Sequence, residues 1–433
     1  MRTRLTRLIL TGIAIAGFAM APPGVGSYAQ SPGQAERNRA ATAAPGAAKH
    51  RPDRTKSATQ RVPVQPPEKR SRPEFTAAEQ AAALLPGWPP EIRFWGDSVA
   101  DFERALPPAP GPWLILSTGG EDGAYGAGFL NGWAMTGTRP QFSVITGVST
   151  GALMATYVFA GGKYDEELHQ VYTTVTAADV FEVAQTPESL IDNWPLGKTI
   201  EQHVTPDLLA AVAAEHQKGR RLFVLTTNLD AGRPTVWNMG AIAVKGGDAA
   251  LKLYRQVLLA ATSVEGFFPP VYVTVEANGR QFQEMHADGG ANGPLFFGPE
   301  AFLVPGTPLR LPATGLYAIF NGTLLNEFDL ASRTLAGISG RTMSIALKLG
   351  GRLQLRLAHV AAQRAGIPLE LTYVDKSLAH VGGAIFDPKY MSALYSYGLD
   401  QGRNSNRFHD GPPTPGFASS NSTDAPANEA GPK

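Results

Sequence analysis

The chain has 433 residues, of which 43% are hydrophobic, so it is long enough for one large α/β domain or two small ones. Its formal net charge is only +1, so no general attraction to nucleic acid is expected. The chain contains no cysteine, which excludes disulfides, thiolate metal ligands, a cysteine nucleophile and a lipidated cysteine anchor.

The first 29 residues have the pattern of a secretory signal peptide. A basic start, MRTRLTR, precedes the apolar stretch Leu8–Ala21, and small residues at Ser27 and Ala29 provide a cleavage site before Gln30. The apolar stretch is shorter than the roughly 20 residues that span a bilayer. We therefore expect export to the periplasm or secretion from the cell, with an uncleaved N-terminal membrane anchor as the alternative.

Composition divides the rest of the chain into three parts. Residues 30–75 are rich in Pro, Ala and Arg and carry ten Lys/Arg against four acids, which predicts a disordered basic linker. The segment 405–433 is a low-complexity, disordered C-terminal tail. A catalytic domain is expected between them, over residues 76–404.

Strand and helix signals alternate along this central part. Strands are predicted at 113–117, 142–146, 221–227, 315–320 and 369–374. Helices are predicted at 124–135, 152–160, 206–218, 248–262, 340–364 and 388–401. Residues 271–286 alternate around Asn278-Gly279, which indicates a β-hairpin. The pattern predicts an α/β domain with a mostly parallel sheet, made mixed by the hairpin.

The first predicted strand leads into a glycine-rich loop in the stretch LILSTGGEDGAYGAG, residues 114–128. Such a loop could hold a nucleotide phosphate or stabilise an oxyanion. A dinucleotide site needs G-x-G-x-x-G and an acid about 20 residues later. Here the spacing in GAYGAG is reversed, and no acid occurs between Gly123 and Lys163. These differences favour an oxyanion-stabilising loop.

The second predicted strand ends in Gly147-Val148-Ser149-Thr150-Gly151, which fits G-x-S-x-G between a strand and a helix. A serine in this context is a candidate nucleophile, because the following helix N-terminus favours developing negative charge. Glycines at both ends, Gly147 and Gly151, allow the strand and the helix to approach closely. The alternative is a structural tight turn.

A serine nucleophile needs a base, and Asp288 in the stretch HADGGANG is a candidate. Asp288 ends a predicted strand and is followed by Gly289 and Gly290, so its side chain can point into a cleft. The alternative is an Asx turn, in which the carboxylate only bonds its own backbone.

Taken in order, the glycine-rich loop, G-x-S-x-G and D-G-G resemble the patatin-like phospholipases over roughly residues 110–402. The resemblance implies a patatin-like three-layer fold, in which helices flank the central sheet. It also implies a catalytic Ser–Asp dyad, with Ser149 as nucleophile and Asp288 as general base. Backbone amides of the loop would form the oxyanion hole, which we place at Gly119, Gly120 and Glu121, with Gly123 keeping the loop open. The implied reaction is hydrolysis of phospholipid, lysophospholipid or other lipid esters through an acyl-serine intermediate.

The loop departs from the family pattern at three positions. Thr118 stands where the family has its first glycine, and a Cβ is unfavourable there if φ is positive. Asp122 replaces a basic residue, next to Glu121. Two adjacent acids would weaken a preference for anionic headgroups, unless both side chains face solvent.

Two other functions remain open at this point. The chain order Ser149, Asp288, His380 allows a conventional Ser–His–Asp esterase, although a core or surface role is favoured for His286, His359, His380 and His409. A non-catalytic envelope binding protein with a patatin-like fold is the other alternative. No cofactor and no metal are expected, because the histidines are scattered and no H-E-x-x-H occurs. The expected partners are a lipid or small acyl ester and, peripherally, a membrane or envelope surface.

Overall fold

The computed structural model describes residues 72–183, 188–304, 311–326, 328, 330–375, 385–409 and 411–413. All of these residues belong to one compact unit, Lys69–Lys433. The predicted signal peptide and all but the last four residues of the predicted linker lie outside the described residues.

The described residues form an alternating series of strands and helices. The strands are β1 Arg93–Trp95, β2 Gly111–Leu116, β3 Val144–Val148, β4 Glu182–Val183, β5 Ile191–Asp192, β6 Arg221–Asn228, β7 Arg233–Asn238, β8 Val271–Ala277, β9 Arg280–Asp288, β10 Ala313–Phe320 and β11 Leu369–Tyr373. The helices are α1 Ala77–Ala82, α2 Val99–Ala105, α3 Gly123–Met135, α4 Thr150–Ala160, α5 Asp165–Thr174, α6 Ala177–Val180, α7 Trp194–His203, α8 Pro206–Gln217, α9 Met239–Lys245, α10 Gly247–Ala261, α11 Leu335–Ala365 and α12 Pro388–Arg403.

Within the described residues, nine strands form one sheet with the order β1-β7-β6-β3-β2-β10-β11, and β9 of the β8–β9 hairpin also pairs with β6. The adjacent strands β6, β3, β2, β10 and β11 run parallel to one another. The pairs β1–β7, β6–β7, β6–β9 and β8–β9 are antiparallel. The predicted α/β fold with a mixed, mostly parallel central sheet is therefore confirmed.

The central strand β2 contributes to two hydrophobic cores, one on each face of the sheet. Leu114 and Leu116 belong to the core beneath α3, α4, α10 and α12. Trp113 and Ile115 belong to the second core, together with Leu355 of α11. Successive side chains of a strand point to opposite faces, so a strand covered on both sides reads as a continuous apolar run.

The packed domain extends beyond the predicted boundaries at 76 and 404. Near the N-terminal boundary, Arg72 forms an ion pair of 2.5 Å with Asp230, and Phe75 stacks on Phe282. At the other end, the ring of Phe408 lies 5.2 Å from that of Trp133. These aromatic contacts remove apolar surface from water, which explains why segments of polar composition are held against the domain.

Among the described helices, none combines the length and the apolar character that crossing a membrane requires.

Candidate active site

Ser149 occupies a sharp turn between β3 and α4. Its backbone has φ 55° and ψ −124°, which is an unfavourable conformation for a residue with a Cβ. Such a conformation costs on the order of 1–3 kcal/mol and is found mainly at functional sites. The turn places the serine at the N-terminus of α4, where helix amides create partial positive charge.

The glycines around Ser149 are required by close backbone contacts. A Cβ on Gly147 would lie 2.4 Å from the carbonyl oxygen of Gly151. A Cβ on Gly151 would lie 2.6 Å from the carbonyl oxygen of Leu116 in β2. Both distances are shorter than van der Waals contact and involve backbone atoms that cannot rotate away. The turn can therefore hold its serine only with glycine at both positions, as the sequence analysis expected.

Sheet register brings Asp288 to the same place. Strand β6 pairs first with β3, where Val148 lies opposite Leu225. It then pairs with β9, where Asp288 lies opposite Thr226. Since Leu225 and Thr226 are consecutive, the last residues of β3 and β9 meet end to end along one edge of β6. The structure thereby brings together two candidate residues that are separated by 138 intervening positions in the sequence.

The Asp288 carboxylate is buried, with 3% of the residue exposed. Its Oδ1 accepts a 2.7 Å hydrogen bond from the amide of Gly290. Burial raises the pKa of Asp288 to about 6, although hydrogen bonding by the Ser149 hydroxyl and the Gly290 amide opposes the rise. Among the described residues, no hydrogen bond of regular geometry reaches Oδ2.

The glycine-rich loop lies against the Ser149 turn and close to the Asp288–Gly290 segment. Gly120 begins a short 3₁₀ turn, Gly120–Asp122, with φ 58°, and borders the same cavity as Ser149. A Cβ on Gly123 would lie 2.4 Å from Oγ1 of Thr150, so the loop packs directly on the residue after the serine. Gly119 approaches the backbone of Asn321 equally closely. Gly123 is thus needed for the contact with the serine turn, Gly119 for the approach to Asn321, and Gly120 for the positive φ.

Thr118 fits the loop without the strain that the sequence analysis considered. It is absent from the described non-glycine residues with positive φ, and its amide donates to the carbonyl of Pro294 at 2.9 Å. The positive φ falls instead on Gly120. A threonine is therefore compatible with this position.

The two acids of the loop bind the segment that begins α12. The Glu121 carboxylate accepts a hydrogen bond from the amide of Phe386, and Oδ1 of Asp122 accepts one from the Tyr390 hydroxyl at 2.7 Å. The alternative in which both side chains simply face solvent is therefore wrong. Their carboxylates hold the glycine-rich loop against α12.

A cavity of about 260 Å³ opens beside Ser149. Its walls are mainly aliphatic and aromatic and include Leu153, Val175, Leu196, Val264, Phe267 and Phe268. From sequence alone, the aromatic residues Phe129, Trp133, Phe267 and Phe268 could either line a lipid pocket or belong to the core. Phe267 and Phe268 border the cavity, whereas Phe129 and Trp133 lie in the core beneath the sheet. An apolar cavity next to a nucleophile can accept the acyl chain of an ester.

Sequence reasoning missed the acid Glu265, which lies in the turn after α10. The backbone of this turn is bonded to the site, because the amide of Asp288 donates to the carbonyl of Ser263 at 2.9 Å. Burial and the nearby charge of Asp288 raise the pKa of Glu265 to about 7. Oε1 of Glu265 is buried and has no hydrogen-bond partner among the described residues. No sequence motif marks this residue, since only the fold brings its turn to β9.

The histidines near the site have other surroundings. His286 is fully buried, and its ring nitrogens lie 3.0 Å from Thr226 Oγ1 and 3.0 Å from Glu284 Oε2. This arrangement fits the core role expected for it. His380 lies outside the described residues. His203 borders the cavity, and burial lowers its pKa, so it is neutral at pH 7.

The fold and site together define an α/β protein with a serine turn at the carboxyl end of a parallel strand and a buried carboxylate beside it. Residues 114–298 match the family described as patatin-like phospholipase. This segment contains both Ser149 and Asp288. Over these residues the chain is therefore similar to patatin-like phospholipase domains, and the resemblance seen in the motifs is confirmed. A comparison with the curated proteins returns no match.

Two solved structures are similar to the chain. VipD from Legionella pneumophila has 11% identity and a TM-score of 0.37, with 68% of this chain and 66% of VipD covered. The type III effector protein ExoU has 13% identity and a TM-score of 0.28, with 69% of this chain and 54% of ExoU covered. The chain thus spans less than two thirds of the length of either structure.

Proposed function

We propose that this protein is a serine lipid acyl hydrolase that uses Ser149 and Asp288 as a catalytic dyad. The observation that carries the proposal is the meeting of the strained Ser149 turn and the buried Asp288 carboxylate beside an apolar cavity. Members of the patatin-like family hydrolyse ester bonds, which supports the same reaction here.

In the proposed reaction, the Ser149 oxygen attacks the ester carbonyl while Asp288 accepts the hydroxyl proton. The tetrahedral intermediate then collapses, and the alcohol leaves with that proton, so that an acyl-serine remains. Water attacks the acyl-serine by the same route, which releases the fatty acid and returns the proton to Ser149. A base whose pKa is about 6 is ionised at pH 7 and matches this role better than an ordinary aspartate.

Amides of the loop would stabilise the oxyanion. Gly120 borders the cavity next to Ser149, and we propose that backbone N–H groups of Gly119, Gly120 and Glu121 point to the developing charge. The N-terminus of α4 adds partial positive charge at the serine. In comparable sites one such donor is worth about 3–4 kcal/mol of barrier reduction.

The test is active-site labelling combined with an ester panel. Purified mature protein is treated with a fluorophosphonate and then assayed on p-nitrophenyl esters, lysophospholipids and phospholipids. We expect labelling and turnover in the wild type and in Ser396→Ala, an exposed serine of α12, and neither in Ser149→Ala. A Ser149→Ala protein that is still labelled and active would refute the proposal, whereas an unlabelled, inactive wild type would favour the non-catalytic binding protein.

Two histidine variants separate the dyad from a Ser–His–Asp enzyme. Under the proposal, His380→Ala and His203→Gln retain activity on soluble esters. Loss of labelling and turnover in either variant, with an unchanged thermal unfolding midpoint, would favour a histidine base.

We also propose that the protein is exported, on the basis of the basic and apolar pattern of residues 1–29. N-terminal sequencing of protein recovered from the periplasm and from the medium tests this. A mature N-terminus near Gln30 supports cleavage, whereas membrane-bound protein that retains Met1 supports the anchor.

A further inference from the structure

The longest helix, α11, presents an aliphatic stripe to water. Six side chains on it are each 45 to 56% exposed. They are Ile338, Ile345, Leu349, Leu353, Leu357 and Val360. At about 100° per residue these positions fall within an arc of about 120°. The opposite face of the helix, which includes Leu355 and Ala358, is buried in the second core. Apolar patches of this kind mark interaction sites.

The charged side chains of α11 are all basic. Its 31 residues contain five arginines and lysines and no aspartate or glutamate. At the same helical rotation, Arg352 and Arg356 fall along one edge of the aliphatic stripe. Among the described residues, Arg352 donates to the carbonyl of Leu324 and Arg356 to that of Pro413. Bonds to neutral carbonyls leave the guanidinium charge uncompensated.

The same helix passes close to the candidate active site. A Cδ2 atom of Leu347 lies 3.7 Å from the Cβ position of Gly290, whose amide binds Asp288. The Cβ position of Gly340 lies 3.8 Å from the ring of Phe267, which borders the cavity. Gln354 fixes the helix through two hydrogen bonds to the backbone of Leu295. The helix is therefore fixed beside the cavity, and the exposed stripe lies on its outward face.

We propose that the outward face of α11 docks the protein on an anionic lipid bilayer. The aliphatic stripe would enter the boundary between headgroups and acyl chains while the cationic edge faces lipid phosphates. The positive charge of Arg352 and Arg356 favours a bilayer over a second copy of this helix, because two such edges would repel each other. The role in catalysis rests on the proposed function, since docking would deliver lipid esters to Ser149.

Binding is measured with the full mature chain carrying Ser149→Ala, so that lipid is not consumed. The protein is floated with phosphatidylcholine vesicles, with or without phosphatidylglycerol. We expect strong flotation only with the anionic vesicles and a decrease as salt is added. Leu349→Ser/Leu353→Ser/Leu357→Ser should lower vesicle affinity at least about tenfold, and Arg352→Gln/Arg356→Gln should lower it on anionic vesicles. The control Met135→Ser, at another exposed apolar site, should bind as before.

Activity of the corresponding variants with Ser149 intact separates docking from chemistry. The triple serine variant should hydrolyse a soluble p-nitrophenyl ester like the wild type but lose about tenfold in rate on vesicle lipid. If the proposed function of Ser149 is wrong and the docking proposal is right, the protein hydrolyses neither substrate but still binds the vesicles.

Three results would overturn the docking proposal. The first is wild-type protein that does not float with anionic vesicles. The second is a triple variant, with an unchanged circular dichroism spectrum, that floats as well as its parent. The third is sedimentation showing that the parent is a dimer and the triple variant a monomer, together with no flotation of the parent, since the stripe would then be a subunit interface.

Discussion

The amide of Gly290 donates a 2.7 Å hydrogen bond to Oδ1 of Asp288, two residues earlier in the chain. This bond restrains the carboxylate from one side and leaves Oδ2 buried without a regular partner among the described residues. It also means that the Asx turn considered from the sequence does form. The turn and the proposed catalytic role are compatible, because the turn uses Oδ1 and leaves Oδ2 available.

Activity should depend on the ionisation of Asp288. A base must be unprotonated, and burial raises the pKa of this carboxyl to about 6. We therefore expect kcat/KM on a soluble ester to rise with pH and to level off above an apparent pKa near 6. The measurement is a pH–rate profile with a substrate that does not ionise. An acidic limb centred near 4 would contradict the assignment.

Asp288→Asn should remove activity and stabilise the fold at neutral pH. In the wild type, Asp288 loses its proton near pH 4 in the unfolded chain and near pH 6 in the folded chain. The free energy of unfolding therefore falls between pH 4 and pH 6 and stays lower at higher pH. The amide cannot ionise, so we expect a gain of at most about 3 kcal/mol at pH 8 and none at pH 3. Urea unfolding at both pH values checks this.

The control for that experiment is Glu265→Gln, which removes the neighbouring acid but keeps the proposed base. It should retain at least a tenth of the activity, whereas Asp288→Asn should lose more than about a hundredfold. Equal losses in the two variants would mean that the carboxylates act as a pair.

Gly151→Ala should destabilise the protein. Its Cβ would lie 2.6 Å from the carbonyl oxygen of Leu116, and overpacking against backbone typically costs about 1–3 kcal/mol. The matched control is Gly197→Ala in α7, where the nearest atom is 3.7 Å away and alanine should stabilise by about 0.5–1 kcal/mol. Thermal or urea unfolding compares the two, and a neutral Gly151→Ala would contradict the close approach of β2 and α4.

Filling the cavity should change the preferred acyl chain. Leu153 lies one turn after Ser149 and borders the cavity, so Leu153→Trp should reduce turnover of a decanoate ester at least about tenfold more than that of an acetate ester. Leu229→Trp, at an exposed position, serves as the control and should leave the ratio unchanged. Equal effects on both esters would place the acyl chain elsewhere.

The contact between α12 and the glycine-rich loop should support catalysis. Tyr390→Phe removes the 2.7 Å hydrogen bond to Asp122, and a bond to a charged group is worth about 1.5–3 kcal/mol. If about half of that energy holds the loop in its active geometry, kcat should fall about tenfold. Tyr272→Phe removes a longer surface contact with Glu188 and should leave kcat unchanged. An unaffected Tyr390→Phe would show that the loop does not need this contact.

Most of the regular elements could be predicted because their signals are local. Asn278 and Gly279 adopt φ 54° and 76°, as the predicted hairpin turn requires. Helix α8 begins at Pro206, as predicted, and the Thr205 side chain caps it. The strands β1, β4, β5 and β7 were not predicted, and neither were the helices α1, α2, α5, α6, α7 and α9. Strand β1 is placed by pairing with β7, which is distant in sequence, whereas β7 pairs along the whole of its length with the preceding strand β6.

The sequence alone determined the chemistry of the candidates. G-x-S-x-G after a strand, a glycine-rich loop and D-G-G after a second strand are local patterns, because each depends on backbone conformations that only small residues adopt. Only the tertiary structure decided that Ser149 and Asp288 meet, since this depends on β3 and β9 pairing with consecutive residues of β6. It also decided the raised pKa of Asp288, the proximity of Glu265, and the contacts of Glu121 and Asp122 with α12. Burial and long-range register are properties of the packed chain, and no short stretch of sequence contains them.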